Sequence, residues 1–188
     1  MSPDLALFLA ACRAARPHED WPERMAAAMR QLISKGPELA HELRGDIAAS
    51  DTRGIAVYVQ GPDLTIYAVE GTGGLRSAPH DHATTAVVGL IEGSESYRTW
   101  RREGARVAEG PRVRVSAGQV AVMGEETVHS MWCEPTESGL SLHAYGNSHF
   151  DVVERRQWDP HTLREEPFEV GRQRAWVREL TTAARANG

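Results

Sequence analysis

Cysteine is scarce in this chain: there are two, Cys12 and Cys133, in 188 residues. They lie in stretches of different character, so no disulfide is suggested between them. Positive charge is not in excess either, with 21 basic against 26 acidic residues and a formal net charge of -5. That balance argues against a general binder of nucleic acid or of anionic membranes. No apolar run approaches the roughly 20 residues that span a bilayer. The leading stretch MSPDLALFLAACRAA carries Asp4 where a signal peptide would carry Lys or Arg. Together these features lead us to expect a reduced, cytoplasmic protein. No repeat, linker or low-complexity tract interrupts the chain. A single domain over 1–188 is therefore expected, long enough to bury a core.

Helical spacing governs residues 1–49. Ser2-Pro3 is a good N-cap and first-turn pair, and Leu5, Phe8, Leu9 and Cys12 follow on one face. Pro17 ends that segment. Asp20 with Glu23 resembles a capping pair ahead of the stripe Met25, Ala28, Met29 and Leu32. Gly36-Pro37 stops the second helix, and a third, through Leu39 and Leu43, is expected to end near Gly45.

The period changes to two at Gly54. Ile55, Val57 and Val59 alternate, Gly61-Pro62-Asp63 turns the chain, and Leu64, Ile66 and Ala68 alternate in turn, which is a hairpin signature. Further strands are expected near 84–92, 96–101, 112–115, 119–123, 127–133 and 139–146. Many short strands at this spacing point to an antiparallel sandwich or barrel over 50–170. A short helix from about Arg172 to Arg185 lies in the final segment, 171–188. The basic run RTWRREGAR reads as a charged hairpin surface.

Histidines concentrate in the β region: His80, His82, His129, His143 and His149. In PHDHATTAVVGLIEG, His80 and His82 are two apart, so both imidazoles face one way on an extended segment, with Asp81 facing the other. Two neutral imidazoles can ligate one divalent transition metal, with a further ligand from another strand. Spacing leaves His129 and His143 as equal candidates for that ligand. The strand entered at TTAVVGLIEG is expected to end at Gly93. No acid occurs between Ala83 and Gly89, and Glu92 reads as a strand-end residue. In SLHAYG, Ser141, His143 and Tyr145 share one face of a strand.

The joined motifs PHDH…G…EG, the later VH, and SLHAYG resemble the thiol dioxygenases of the cupin superfamily. These include cysteine dioxygenase and, more closely, the bacterial 3-mercaptopropionate type. The resemblance covers about residues 50–170. It implies an all-β cupin core, a double-stranded β-helix or jelly-roll barrel, with N-terminal helices and a short C-terminal helix. It also implies Fe(II) held by His80, His82 and His129, and an outer relay of Ser141, His143 and Tyr145. Three neutral imidazoles would leave a +2 ion able to favour a thiolate, whose sulfur is oxidised by O2 to a sulfinate. Tyr145 would hydrogen-bond to substrate or oxygen, His143 would orient it, and Ser141 would fix the imidazole tautomer.

Two positions depart from the family. Val87 stands where some cysteine dioxygenases carry a cysteine crosslinked to the tyrosine, so no crosslink is expected. Thr85 stands where the mercaptopropionate type often has Trp, which leaves the substrate open. In ERRQWDPHTLREEPFEVG, Arg155 or the neighbouring Arg156 matches the arginine that binds substrate carboxylate, and Arg76 is a further candidate. The expected partners are a small thiol and O2, with no nucleic acid and no membrane, in a monomer or small homo-oligomer. Two other readings stay open: a three-His cupin cleaving a carbon–carbon bond of a diketone or hydroxyketone, and a non-catalytic ligand-binding cupin.

Overall fold

Gly93 determines how the β region is laid out. The computed structural model describes residues 1–52, 54–134, 136–151 and 154–186. In it the strands expected at 84–92 and 96–101 are one strand, β3, Ala86–Glu103. Gly93 bends this strand at φ 69° instead of ending it. A Cβ there would stand 1.7 Å from the Ser138 carbonyl oxygen. Only glycine accepts both the dihedral and the contact. Gly93→Ala should therefore cost roughly 3 kcal/mol, which thermal denaturation would read as a lowered Tm.

The remaining strands are arranged around β3. They are β1 (Ile55–Gln60), β2 (Thr65–Gly71), β4 (Arg106–Ser116), β5 (Val120–Met123), β6 (Val128–Trp132) and β7 (Gly139–Tyr145). The first half of β3 pairs with β7 and β5, and the second half with β4 and β6, all antiparallel. The order β1-β2-β7-β3-β4 completes a cupin-type jelly-roll barrel. A small hairpin, β8 (Arg156–Trp158) with β9 (Glu165–Pro167), was not anticipated from the sequence. Val57 and Val59 do not alternate inward as expected. A register shift falls between them, Val57 is exposed, and Ala56 takes the buried position.

Three helices cover one face: α1 (Pro3–Ala15), α2 (Trp21–Ile33) and α3 (Pro37–Ala49). Ser2 caps α1 by accepting from the Leu5 N–H at 3.2 Å. Asp20 precedes α2, but its carboxylate accepts from Arg24 at 2.7 Å and caps nothing. α3 runs past Gly45, because Ile47 continues the buried stripe of Leu39 and Leu43. That contact outweighs the roughly 1 kcal/mol helix penalty of glycine. Helix residues Leu5, Met25, Met29 and Leu43 pack on Ile66, Leu140 and Leu142 from the sheet. Each such side chain contributes on the order of 2 kcal/mol on burial. The other face of the same strands, with Tyr67, Val88, Leu90, Tyr97 and Tyr145, forms the barrel interior. A last helix, α4 (Val170–Ala186), closes the chain, and residues 187 and 188 of the expected final segment lie outside the described residues.

Candidate metal centre

Backbone pairing, more than sequence spacing, brings the histidines together. His80 lies just before β3 and exchanges two hydrogen bonds with His129 of β6: N–H to C=O at 2.9 Å and the reverse at 3.0 Å. Residues so paired across antiparallel chains project to the same face. His82, two residues on, returns to that face. The ring centroids of His80, His82 and His129 lie 4.6–5.2 Å apart. One ligating nitrogen from each falls within 4.8 Å of the others.

The cluster is prepared to hold a cation. The Nδ1 of His80 is 2.9 Å from the Ala78 carbonyl, an acceptor only. With Nδ1 donating to that carbonyl, Nε2 keeps its lone pair for a metal; the Gln173 amide nitrogen lies 3.1 Å from the same Nδ1. Gln173 of α4 donates to the same carbonyl at 3.2 Å. The Nδ1 of His129 is buried without a hydrogen-bond partner among the described residues. Burial, reinforced by the charge of Arg155, holds the His80 imidazole down to about 4. Burial, with the neighbouring imidazoles, holds His82 and His129 well below the ordinary histidine value. All three rings are thus neutral at pH 7, as metal ligation requires. The site fits a divalent transition ion.

Asp81 faces away from this cluster. Its carboxylate accepts from Arg102 at 2.7 Å and from the Arg156 backbone N–H at 2.8 Å, which ties the H-x-H segment to β3 and β8. Arg102 belongs to the run expected to be plain charged surface, so that expectation is corrected in part. Glu92 pairs with Arg44 of α3 at 2.5 Å on the helix side of the sheet and has no part in the cluster.

His129 and His143, alike in spacing, are placed differently in the structure. Both ring nitrogens of His143 are engaged: Nε2 with Ser141 Oγ at 3.0 Å, and Nδ1 with Tyr145 Oη at 2.9 Å. The two sides of β7 explain the alternation in SLHAYG. Leu140, Leu142 and Ala144 go to the helices, while Ser141, His143 and Tyr145 enter the barrel. Tyr145 meets a second tyrosine, Tyr67, at 3.0 Å between hydroxyls. Tyr145, His82 and His129 line one cavity of about 180 Å³. The edge of the His82 ring meets Tyr145 with centroids 4.8 Å apart.

His149 was counted in the sequence but given no role. It lines the same cavity and stacks on Tyr145 at 3.8 Å. Arg155 is buried and its guanidinium lies over Phe168. It donates to the carbonyls of Asp81 and His149, each at 3.1 Å, and to His149 Nε2 at 3.4 Å. Arg156 turns outward toward Glu165, 3.5 Å away. Arg76 lines a separate cavity of about 270 Å³ beside Arg98, Arg112 and Trp132. Val87 is buried against the helices and does not line the metal cavity. Cys12 and Cys133 are buried free thiols.

No family model matches the chain, and no curated protein matches it in sequence. Several solved structures resemble it. A cupin-like protein from Thermotoga maritima is 17% identical over 57% of this chain and 77% of its own, with a TM-score of 0.45. A Klebsiella pneumoniae protein with a double-stranded β-helix domain is 17% identical over 50% of this chain and 70% of its own, with a TM-score of 0.41. A Bacillus subtilis oxalate decarboxylase variant is 16% identical over 47% of this chain and 22% of its own, with a TM-score of 0.39. No helix among the described residues is long and apolar enough to cross a membrane.

Proposed function

We propose that this protein is an Fe(II)-dependent thiol dioxygenase. It would convert a small thiol, such as the thiol carboxylates 3-mercaptopropionate or cysteine, to its sulfinate with both atoms of O2. The observation that carries the reading is the shared cavity. Three neutral imidazoles and the Tyr145 end of a hydrogen-bonded relay line it together. A pocket that only bound a ligand would not need that relay. In the balanced reaction sulfur is oxidised, O2 is reduced, and the thiol hydrogen leaves as the acid proton of the sulfinate. Fe(II) would be held by His80, His82 and His129 and would supply the redox chemistry that joins oxygen to sulfur.

The chain's own residues bind and orient the substrate. Tyr145 and Tyr67 bring hydroxyls to the cavity wall, and Ile55, Val69, Val88 and Met131 keep the remainder apolar. Arg155 acts next to His149. An arginine can only donate, so His149 Nε2 is an acceptor and its proton sits on Nδ1. That Nδ1 is buried without a partner among the described residues, on a ring lining the cavity. We assign it, with the Arg155 charge behind it, to the substrate carboxylate. Arg156, turned to Glu165, is less suited to that part. The reaction needs no second macromolecule, and the buried free thiols suit a reducing cytoplasm.

The test is direct. Protein loaded anaerobically with Fe(II) and then exposed to O2 should consume O2 with at least one member of a small-thiol panel and yield the sulfinate. Iron-replete protein that takes up no O2 with any small thiol, but does so with a diketone, would overturn the thiol reading.

A further inference from the structure

The relay does not stop at Ser141. Ser141 Oγ lies 2.9 Å from Oε1 of Glu95, and Tyr97 donates to Oε2 of the same carboxyl group. Glu95 is 1% exposed. Its place is shaped by two glycines that face each other across β2 and β7, Gly71 and Gly139. A Cβ on Gly139 would stand 2.9 Å from Oε1 and 3.0 Å from Cγ. An acid buried in a slot kept open for it is costly unless it is used, since a carboxylate out of water loses several kcal/mol of solvation.

The hydrogens of this chain can point only two ways. When Glu95 is charged, both its oxygens accept, so the Ser141 O–H turns to Glu95. Ser141 Oγ then accepts the His143 Nε2–H, His143 Nδ1 accepts the Tyr145 O–H, and Tyr145 meets the cavity as an acceptor. When Glu95 carries a proton, every donor reverses. Ser141 then donates to Nε2, Nδ1–H donates to Tyr145, and the Tyr145 O–H is free to turn toward the cavity or Tyr67. The charge on Glu95 sets the direction of the whole chain.

We propose that Glu95 receives, through Ser141, His143 and Tyr145, the proton that a thiol gives up on binding in the cavity. This rests on the thiol reading above. The S–H bond breaks and its hydrogen joins Tyr145 Oη, whose own proton passes to His143 Nδ1. The Nε2 proton passes to Ser141 Oγ, and the serine proton to Glu95 Oε1. A thiol and a carboxylate become a thiolate and a carboxylic acid, and no electron moves. The reversed chain now offers the Tyr145 O–H to the side where negative charge has formed.

The far end of the chain is closed. Among the described residues the titratable groups that face Glu95 are Tyr97, on its own strand, Cys133, just after β6, and Tyr67 of β2, whose hydroxyl is also raised by burial. Burial pushes the Cys133 thiol up to about 12 and Tyr97 well above the ordinary tyrosine value, so neither competes for the proton near pH 7. Burial likewise raises Glu95 above the usual carboxyl range, opposed by its two hydrogen bonds. That places it nearer working pH, where a proton store is effective.

The experiment uses Fe(II)-loaded protein without O2, titrated with 3-mercaptopropionate and cysteine in buffers of different ionisation enthalpy. Wild type should release far less than one proton per thiol bound, and Glu95→Gln about one. A carboxylic-acid C=O infrared band should appear on thiol binding in wild type and be missing in Glu95→Gln. Ser141→Ala leaves Glu95 in place but cuts the relay, and should also release about one proton. This keeps the test decisive if Glu95→Gln folds poorly. Equal proton release by wild type and Ser141→Ala would overturn the proposal while leaving the thiol reading intact. An acid band present before thiol is added would do the same. Binding of neither thiol, with O2 uptake on other substrates, would instead overturn the thiol reading and the transfer with it.

Discussion

His129→Ala protein, loaded anaerobically with Fe(II) and desalted, should keep almost no metal, while wild type keeps about one ion per chain. The argument rests on how the centre is assembled. His80 and His129 sit opposite one another through two backbone hydrogen bonds, and His82 completes the group. Removing His129 leaves two imidazoles on one short segment. Loss of even an outer hydrogen-bond partner weakens metal sites ~10–100-fold, so loss of a ligand should cost at least ~100-fold in affinity. O2 consumption with any thiol should fall to background. His143→Ala is the discriminating control. Its ring nitrogens are both taken by Ser141 and Tyr145, so that variant should retain its iron while losing turnover. Metal analysis of the two variants decides the matter. Iron kept by His129→Ala and lost from His143→Ala would reverse the assignment.

Metal-free protein should lose stability steeply as pH falls from about 6.5 to about 4. Burial holds the imidazoles of His80 and His143 down to about 4, and those of His82, His129 and His149 well below the ordinary value. In the unfolded chain the same rings take protons near pH 6.5. Between these limits the unfolded state binds more protons than the folded one, so stability is full above pH 6.5 and drains away as pH falls through the folded values. One imidazole shifted this far is worth on the order of 3 kcal/mol. Two already rival the ~5–15 kcal/mol total of a typical domain. Glu95 acts with the opposite sign, since its raised value makes the folded state less favourable as pH rises. The measurement is thermal denaturation in chelator at pH 7, 6, 5 and 4. A Tm that stays flat from pH 7 to 4.5 would contradict it.

Much of the fold could be read in the chain because local signals and global packing agree there. The hairpin at Gly61-Pro62-Asp63 and the alternation of β7 could both be read from local signals, although the register shift between Val57 and Val59 breaks period two in β1. Gly93 misled because glycine punctuates strands as often as it bends them. Only the close approach of Ser138 shows that the strand continues. The H-x-H pair could be read as a ligand pair, but its partner could not. His129 and His143 are alike in spacing, and the choice rests on cross-strand pairing and ring hydrogen bonds that no local pattern encodes. His149 and Arg155 both lie outside the strands and helices, where periodicity carries no information. Glu95 escaped notice for another reason. The alternation of Glu95 with Tyr97 was present in GSESYRTW, but a lone acid in a strand reads as solvent-facing until the glycines opposite it are placed.

The single strand β3 has a consequence for how this site can come apart. Val88 of its first half lies opposite His143, and Thr99 of its second half lies opposite His129. Glu95 and Tyr97 stand between them on the same ribbon. Cooperative opening of a protein follows contiguous units, and here one unit holds both the candidate metal ligand and the proposed proton path. A local fluctuation that frees the third imidazole must loosen the strand that registers the relay. The candidate metal centre and the proposed relay should therefore open in one unfolding event, the three imidazoles separating as the relay melts.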